Sequence, residues 1–277
     1  MKLSLIVPTV DRLLEVERLL KSLQAQTYTD FEIIIVDQND DDRLASVIER
    51  HGSGLTISRI RCQRGASRAR NAGARHAGGQ LIAFPDDDCW YPPDLLASVH
   101  RLMVEHPDWD GIAIRGRDDR GALSVNRIDD LPGRVTRLNA LRRGTACCLF
   151  LHRRVIDRIG GMDESLGAGT RWVGTEDTDW LHRIAAARFH VRFIPDLYVC
   201  HPQIIDGFGP AARDKEFRYS MGMGRLLRKN EFPLVFVLLM LTAEAKELSI
   251  ALISGRRGET PFHAGSFIGI CRGWLGV

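Results

Sequence analysis

Two apolar runs near the start of the chain constrain its fold more than any other feature. Residues 3–7 and 31–37 are rich in Leu, Ile and Val, and each has the length of a buried strand. Between them apolar residues recur at helical spacing, at Leu13, Val16, Leu20 and Leu23. Asp11 stands where it could cap that helix. Two buried strands joined by an amphipathic helix form a βαβ unit with parallel strands, so the sequence predicts an α/β fold with helices on both faces of the sheet.

Five further apolar runs predict strands, at residues 55–60, 81–84, 111–114, 146–151 and 191–194. Residues 65–79 are crowded with small side chains and predict a helix close to the sheet, with Ser67 as its cap and Gly78 and Gly79 at its end. Arg68, Asn71 and Arg75 share one face of this helix.

The carboxyl ends of the predicted strands collect polar residues. Pro8 and Thr9 follow the first strand, Asp37 ends the second, and residues 86–88 follow the run at 81–84. In an open α/β sheet, ligands bind beyond these ends. We therefore expect the binding site at this edge of the sheet.

Three consecutive carboxylates, Asp86, Asp87 and Asp88, repel one another. Runs of Asp are often solvated turns, because Asp bonds its own backbone. Here the run lies between an apolar strand and the aromatic turn at residues 89–92, which places it at the mouth of the sheet. A hard divalent cation would relieve the repulsion, and Mg²⁺ or Mn²⁺ takes one or two carboxylates together with substrate phosphates.

The composition suits one catalytic domain with an appendage: the chain has 277 residues, of which 44% are hydrophobic and 26% charged. The net charge is +3, and residues 213–277 carry ten Lys and Arg against six Asp and Glu. The basic excess therefore belongs to the tail. We predict a catalytic domain at 1–212 and a basic helical tail at 213–277, and we expect no nucleic-acid partner.

The six cysteines form no CxxC pair and no zinc-finger spacing with histidine, and Cys147 and Cys148 are adjacent. This pattern indicates reduced thiols in a cytoplasmic protein. The apolar start resembles a short signal sequence, but Asp11 and Arg12 interrupt it. We interpret it as the first strand.

The tail contains a twenty-residue apolar stretch at 234–253, long enough to suggest a membrane span. Glu244, Lys246 and Glu247 lie inside it, and a charge near a helix centre costs about 2.5 to 3.5 kcal/mol on insertion scales. Basic residues flank it, at Arg225, Arg228, Lys229, Arg256 and Arg257. Two interpretations stay open: a helix lying on the anionic inner face of the plasma membrane, or a helix packed on the catalytic domain or in a homodimer.

An ordered set of motifs resembles the family 2 inverting glycosyltransferases of the GT-A fold. The motifs are IVPT at 6–9, IIIVDQ at 33–38, GASRARNAG at 65–73, FPDDDCWYPPDLL at 84–96, GGMDE at 160–164, GTEDTDWLHR at 174–183 and CHP at 200–202. Each motif is weak by itself, but their order is specific, and the resemblance covers about residues 3–202. It implies a GT-A, Rossmann-like, mostly parallel sheet that binds a nucleotide sugar.

The resemblance also implies roles for single residues around the nucleotide sugar. The nucleotide base and ribose would be bound by Pro8, Thr9 and Asp37. The helix face with Arg68 and Asn71 would lie near the nucleotide, and Asp87 near the sugar.

The metal site of the family is implied at the acid run. Asp86 and Asp88 match the DxD motif, with Asp88 as the direct ligand of Mn²⁺ or Mg²⁺. His201 matches a histidine that in many members completes the metal and diphosphate site, although a histidine after a strand is otherwise often a packed residue. Cys89 stands where many relatives have a further Asp.

The catalytic acids of the family match Glu176 and Asp177, with Asp177 as the base. A hydroxyl that attacks an anomeric carbon in one displacement needs a base opposite the leaving diphosphate. Both acids would also suit the start of a helix predicted from Asp179 to Arg188. Trp172 would border the acceptor, or else lie in the core.

Two departures from the family limit these inferences. Gln38, Asn39 and Asp40 replace the common Asp-Gly-Ser turn, which leaves the nucleotide open, and DWLHR replaces the QxxRW motif of processive synthases. We expect transfer of one sugar from a nucleotide-diphosphate donor to a glycan or lipid-linked acceptor in bacterial surface polysaccharide synthesis. The alternative is a non-catalytic nucleotide-sugar-binding subunit, for which the acid pair would be unnecessary. A nucleotidyltransferase and an NAD-dependent dehydrogenase are disfavoured, because PTVDR is neither a triphosphate loop nor GxGxxG.

Overall fold

The computed structural model describes residues 1–125, 131–203 and 207–277. The chain forms two compact units: Met1–Met162 with Trp180–Gln203, and Asp163–Asp179 with Ile204–Val277. The second unit thus contains a loop from the middle of the chain as well as the tail. The sequence-based boundary, with domains at 1–212 and 213–277, stays a proposal.

The first unit is built on a mixed sheet of nine strands within the described residues, in the order β3-β2-β1-β4-β8-β5-β9-β7, with β6 paired to β5. The strands are β1 Leu3–Thr9, β2 Phe31–Asp37, β3 Ile57–Arg61, β4 Leu81–Ala83, β5 Gly111–Arg117, β6 Leu123–Val125, β7 Gly133–Arg134, β8 Leu149–His152 and β9 Val191–Cys200. The β3-β2-β1-β4 half is parallel, whereas β8 pairs antiparallel to both neighbours. The predicted α/β fold is confirmed.

Each of the first four strands is followed by a helix, whereas the later elements do not alternate regularly. The helices are α1 Leu14–Gln24, α2 Ala45–His51, α3 Ala66–His76, α4 Leu95–Glu105, α5 Ala140–Arg143, α6 Arg153–Ile159, α7 Glu176–Ala186, α8 Pro210–Lys229, α9 Leu234–Ile253 and α10 Glu259–Leu275. Helix α9 has the bounds predicted from the apolar stretch. Helix α7 begins three residues before the predicted Asp179, so that the acid pair lies in its first turn.

Three local predictions were wrong. Asp11 does not cap α1, because its carboxylate pairs with Arg43 at 2.8 Å and the helix begins at Leu14. Ser67 lies inside α3, which begins at Ala66 after Gly65 at a φ of 139°, a conformation that favours glycine. Residues 146–148 form a 3₁₀ turn before β8.

The predicted close approach of α3 to the sheet is confirmed by Gly73. A Cβ on Gly73 would lie 2.2 Å from Cγ2 of Ile6, which is a clash. Glycine therefore lets this helix pack directly on β1, at the edge where the polar residues collect.

In the second unit, α8 and α10 pack backbone to backbone. A Cβ on Gly273 would lie 2.0 Å from the carbonyl oxygen of Met221, and one on Gly224 would lie 2.1 Å from that of Ile270. Small residues thus permit the contact.

Much of α9 is exposed, including Leu234, Val235, Leu238, Leu239, Leu252 and Ile253. None of the described helices combines the length and apolar character that crossing a bilayer requires.

Candidate active site

The strand registers bring the predicted nucleotide-binding residues to one edge of the sheet. Thr9, the last residue of β1, pairs with Asp37, the last residue of β2, and Pro8 pairs with Val36. Strand β4 ends at Ala83, so the acid run follows at the same carboxyl edge. This edge is the one at which ligands bind in open α/β sheets.

Asp37 is fully buried and both of its oxygens are bonded. Arg59 on β3 donates to Oδ2 from Nε at 2.8 Å and from Nη2 at 2.5 Å, while the backbone and side-chain amides of Asn39 donate to Oδ1 at 2.9 and 2.7 Å. The network fixes the loop after β2. Sequence analysis missed Arg59. Its position on a strand predicted next to the one that ends at Asp37 could have indicated the pair.

Two arginines that sequence analysis also missed orient the acid run. Nη2 of Arg70 on α3 lies 2.6 Å from Oδ1 of Asp86, and Nη1 of Arg12 lies 2.5 Å from Oδ2 of Asp88. The other oxygen of each carboxylate is turned towards His201, with Nε2 3.9 Å from Oδ2 of Asp86 and 3.4 Å from Oδ1 of Asp88. Each Asp therefore keeps one oxygen for a ligand while an arginine holds the other.

His201 is held by its backbone and by its second ring nitrogen. Its N–H donates to the carbonyl of Arg117 at 2.8 Å, and Nδ1 lies 2.5 Å from the carbonyl oxygen of Pro202. A carbonyl oxygen only accepts, so Nδ1 carries a proton and Nε2 faces the two carboxylates. This orientation is typical of metal-binding histidines, whose second nitrogen donates to a carbonyl or carboxylate.

Asp86, Asp88, Cys89 and His201 each offer one ligand atom, and the four atoms lie within 4.8 Å of one another. Oδ1 of Asp88 is buried and accepts no hydrogen bond from the described residues. A buried carboxylate oxygen normally has a partner. The donor set and this oxygen therefore fit a divalent cation, and the structure brings together the three metal ligands predicted from sequence.

Burial perturbs the middle residue of the acid run, Asp87. Burial raises the pKa of Asp87 to about 7, although the charge of Arg12 opposes the rise. Burial would lower the pKa of His201, but its electrostatic interactions with Cys147, Asp86 and Asp88 outweigh burial and raise that pKa. The cluster thus attracts positive charge.

Arg68 and Asn71, predicted to share one face of α3, lie in different environments. Arg68 is partly exposed and donates to Oε1 of Gln63 at 3.2 Å. Asn71 instead holds the loop at Met162, donating to its carbonyl at 2.9 Å and accepting from its N–H at 2.8 Å. Asn71 and Arg75 also line a cavity of about 420 Å³ beside Phe84. Nucleotide contact by Arg68 and Asn71 stays a prediction.

The acid pair of the second unit follows a turn with two consecutive positive φ values, at Gly174 and Thr175. Glu176 packs against Gly167, whose Cβ would lie 2.8 Å from Cδ of the carboxylate. Oδ1 of Asp177 accepts the N–H of Thr178 at 2.7 Å. Acids in the first turn favour the helix through its dipole, as anticipated for this pair.

Trp172 lies in the same loop and is partly exposed, not a core residue. Its backbone forms an isolated β-bridge with Leu166, and the guanidinium of Arg171 lies 4.8 Å from the centroid of its ring. Asp86, Asp88 and His201 belong to the first unit, whereas Trp172, Glu176 and Asp177 belong to the second.

Several known proteins resemble this chain in sequence. The model of the family described as glycosyl transferase family 2 matches residues 4–160. An uncharacterized glycosyltransferase of Haemophilus influenzae is 37% identical over 38% of this chain and only 36% of its own length. Glycosyltransferase AglE of Haloferax volcanii is 24% identical over 79% of the chain and 72% of its own length.

A solved structure extends the likeness to the fold. The mannosyltransferase PcManGT of Pyrobaculum calidifontis, in complex with GDP-Man and Mn²⁺, has a TM-score of 0.67 at 18% identity, covering 99% of this chain and 87% of that chain. At this identity the likeness concerns the fold, and it confirms the predicted GT-A architecture.

Proposed function

The chain belongs to glycosyl transferase family 2, and on that premise we propose that it is a metal-dependent inverting glycosyltransferase using a nucleotide-diphosphate sugar donor. The acceptor in this proposal is a hydroxyl of a glycan or a lipid-linked glycan, in bacterial surface polysaccharide synthesis. The observation that carries the proposal is the cluster of Asp86, Asp88, Cys89 and His201 at the carboxyl edge of the sheet.

Donor binding is assigned in the proposal to the same edge. Pro8, Thr9 and Asp37 would hold the base and ribose, Arg68 and Asn71 would lie near the nucleotide, and Asp87 would contact the sugar. Asp86, Asp88 and His201 would hold Mn²⁺ or Mg²⁺, whose charge stabilises the negative charge that develops on the leaving diphosphate.

Proton transfer is assigned to Asp177, with Glu176 beside it. The acceptor hydroxyl loses its proton to the Asp177 carboxylate as its oxygen bonds to the anomeric carbon. The bond from that carbon to the diphosphate oxygen breaks in the same step, which inverts the configuration. Trp172 would border the acceptor, since its partly exposed ring offers a stacking surface for a sugar.

The tail has a separate role in this proposal. Helix α9 exposes large apolar side chains in its first two turns and at its end, and Arg256 and Arg257 follow that end. Apolar residues next to basic ones suit the anionic surface of a membrane. We therefore place the enzyme at the inner face of the plasma membrane. The competing interpretation is that α9 is covered in a homodimer.

Asp177→Asn tests the assignment of the base. We expect turnover of donor with Mn²⁺ and a panel of acceptors to fall about 10²-fold to 10⁴-fold, the usual contribution of a general base. Donor protection against thermal unfolding should persist, because the base contributes to chemistry and not to donor binding. Asp214→Asn, at an exposed acid of α8, is the control.

Wild-type turnover by Asp177→Asn would disprove the role of Asp177. Metal-dependent nucleotide binding by the wild-type protein, with no transfer to any acceptor of a broad panel, would instead favour the alternative of a binding subunit.

A further inference from the structure

The cation site contains a thiol next to two carboxylates and an imidazole. Cys89 is completely buried, and its position follows from a single backbone bridge: Trp90 donates to the carbonyl of Cys200 at 3.0 Å and accepts from its N–H at 2.9 Å. Residues adjacent to an antiparallel bridge lie opposite each other, so Cys89 faces His201. The thiol is thus part of the cluster and not a lone cysteine.

Two candidate coordination geometries differ in the spacing between their ligand atoms. In a tetrahedral zinc site, with bonds of about 2.0 Å to nitrogen or oxygen and about 2.3 Å to sulfur, neighbouring ligands are roughly 3.3 to 3.5 Å apart. In an octahedral magnesium site, with bonds of about 2.1 Å, adjacent ligands are only about 2.9 Å apart. Nε2 of His201 lies 3.4 and 3.9 Å from the two carboxylate oxygens, nearer to the tetrahedral spacing.

The surrounding residues also favour a built coordination shell. Arg12 and Arg70 each bind the carboxylate oxygen that does not face His201, and the carbonyl of Pro202 fixes the imidazole. Such outer contacts orient ligands and are typical of metal centres. Sulfur ligands select zinc and other soft or borderline ions, whereas Mg²⁺ prefers oxygen.

We propose that Cys89 is a thiolate ligand of the cation, so that this site prefers a thiophilic divalent ion such as Zn²⁺ or Co²⁺ over Mg²⁺. The inference rests on the proposed function only in taking the cluster as the metal centre. On binding, the sulfur–metal bond forms and the thiol proton passes to the solvent. With four protein ligands, a diphosphate oxygen of the donor would have to enter as a fifth ligand, as in catalytic zinc sites that expand to five-coordinate.

The test is a Co²⁺ titration of the full chain after chelation of bound metal, followed by absorption spectroscopy. We expect the wild-type protein to develop the near-ultraviolet charge-transfer band of a cobalt–thiolate bond. Cys89→Ser should lose the band, and Cys200→Ser should keep it, because Cys200 adjoins His201 but lies outside the ligand set.

A second measurement protects the result against simple unfolding of the variant. Competition with a chelator should show that Zn²⁺ affinity falls about tenfold or more in Cys89→Ser, within the range known for perturbed metal sites. Cys89→Asp introduces the carboxylate found in many relatives. It should bind Mn²⁺ at least as tightly as the wild type does, while lacking the charge-transfer band.

A wild-type spectrum without the band, or a band that persists in Cys89→Ser, would overturn the thiolate assignment. These readouts require no sugar transfer. A band without sugar transfer would contradict the proposed function and leave the ligand assignment intact. Sugar transfer without a band would support the proposed function and contradict the thiolate ligand.

Discussion

Lys229, at the last turn of α8, neutralises two acids: Asp163, in the loop before α7, and Asp179, in the first turn of α7. Its Nζ lies 2.6 Å from Oδ2 of Asp163 and 2.9 Å from Oδ1 of Asp179. Asp179 is fully buried, and Asn230 also donates to its Oδ1 at 2.9 Å. We predict that Lys229→Met destabilises the second unit by about 2 to 4 kcal/mol, because removing one partner of a buried ion pair costs about 3 to 5 kcal/mol and Asn230 still donates.

The pKa of Asp163 gives an upper limit for the stabilisation that its pair with Lys229 contributes, because Ser165 shares in the effect. Burial would raise this pKa, but hydrogen bonds from Lys229 and Ser165 outweigh burial and lower it to about 2 from its ordinary 3.8. A folded pKa below the unfolded one stabilises the protein above the unfolded pKa, and the stabilisation is lost as the pH falls through the folded pKa. The shift corresponds to roughly 2 kcal/mol, present above about pH 4 and lost towards pH 2.

Urea unfolding at pH 7, with hydrogen exchange at residues 163–179 and in α8 to localise the effect, measures the loss. Arg218→Met is the matched control, since its pair with Asp214 on the same helix is more than half exposed and should change stability by less than about 0.5 kcal/mol. A double-mutant cycle with Asp163→Asn isolates that pair. If Lys229→Met and Arg218→Met had equal stabilities, the bridging role of Lys229 would be refuted.

Two further predictions concern the tail. Gly273→Ala should lower the free energy of unfolding by about 1 to 3 kcal/mol, because the new Cβ would lie 2.0 Å from the Met221 carbonyl oxygen. Gly265→Ala on the same helix is the control and should be neutral or stabilising, since the nearest atom to its Cβ would be 3.9 Å away. Equal effects of the two substitutions in urea unfolding would contradict the close packing of α8 and α10. Replacing the exposed Leu238 and Leu239 by Gln should reduce flotation with anionic liposomes, because it removes apolar side chains from the proposed membrane-facing surface. Loss of a homodimer in light scattering, with unchanged flotation, would instead place α9 in a dimer interface.

Sequence predicted those parts of the fold that local patterns determine. The apolar run at 31–37 gave the strand β2 with its observed bounds, and the stretch after Pro233 gave α9. The strand predicted at residues 146–148 was wrong, because a buried apolar segment has the same composition in a strand and in a 3₁₀ turn. Periodicity alone does not distinguish the two.

The candidate site was predictable only in part, for a different reason. Asp86, Asp88 and His201 were found through motif order, and the structure brings them together. Arg12, Arg70 and the ligand position of Cys89 depend on contacts between distant segments, such as the bridge from Trp90 to Cys200. No local pattern encodes which cation will face a given carboxylate.

These non-local contacts change the answer to the problem of three adjacent carboxylates. A cation would relieve their repulsion, yet Arg12 and Arg70 already offset the charge of Asp88 and Asp86. The charge that the run presents to a cation is therefore smaller than three acids imply. Charge alone therefore does not determine which cation the proposed site would take. Ligand softness also selects the metal, and a thiolate at Cys89 would favour zinc where a carboxylate would favour Mg²⁺ or Mn²⁺.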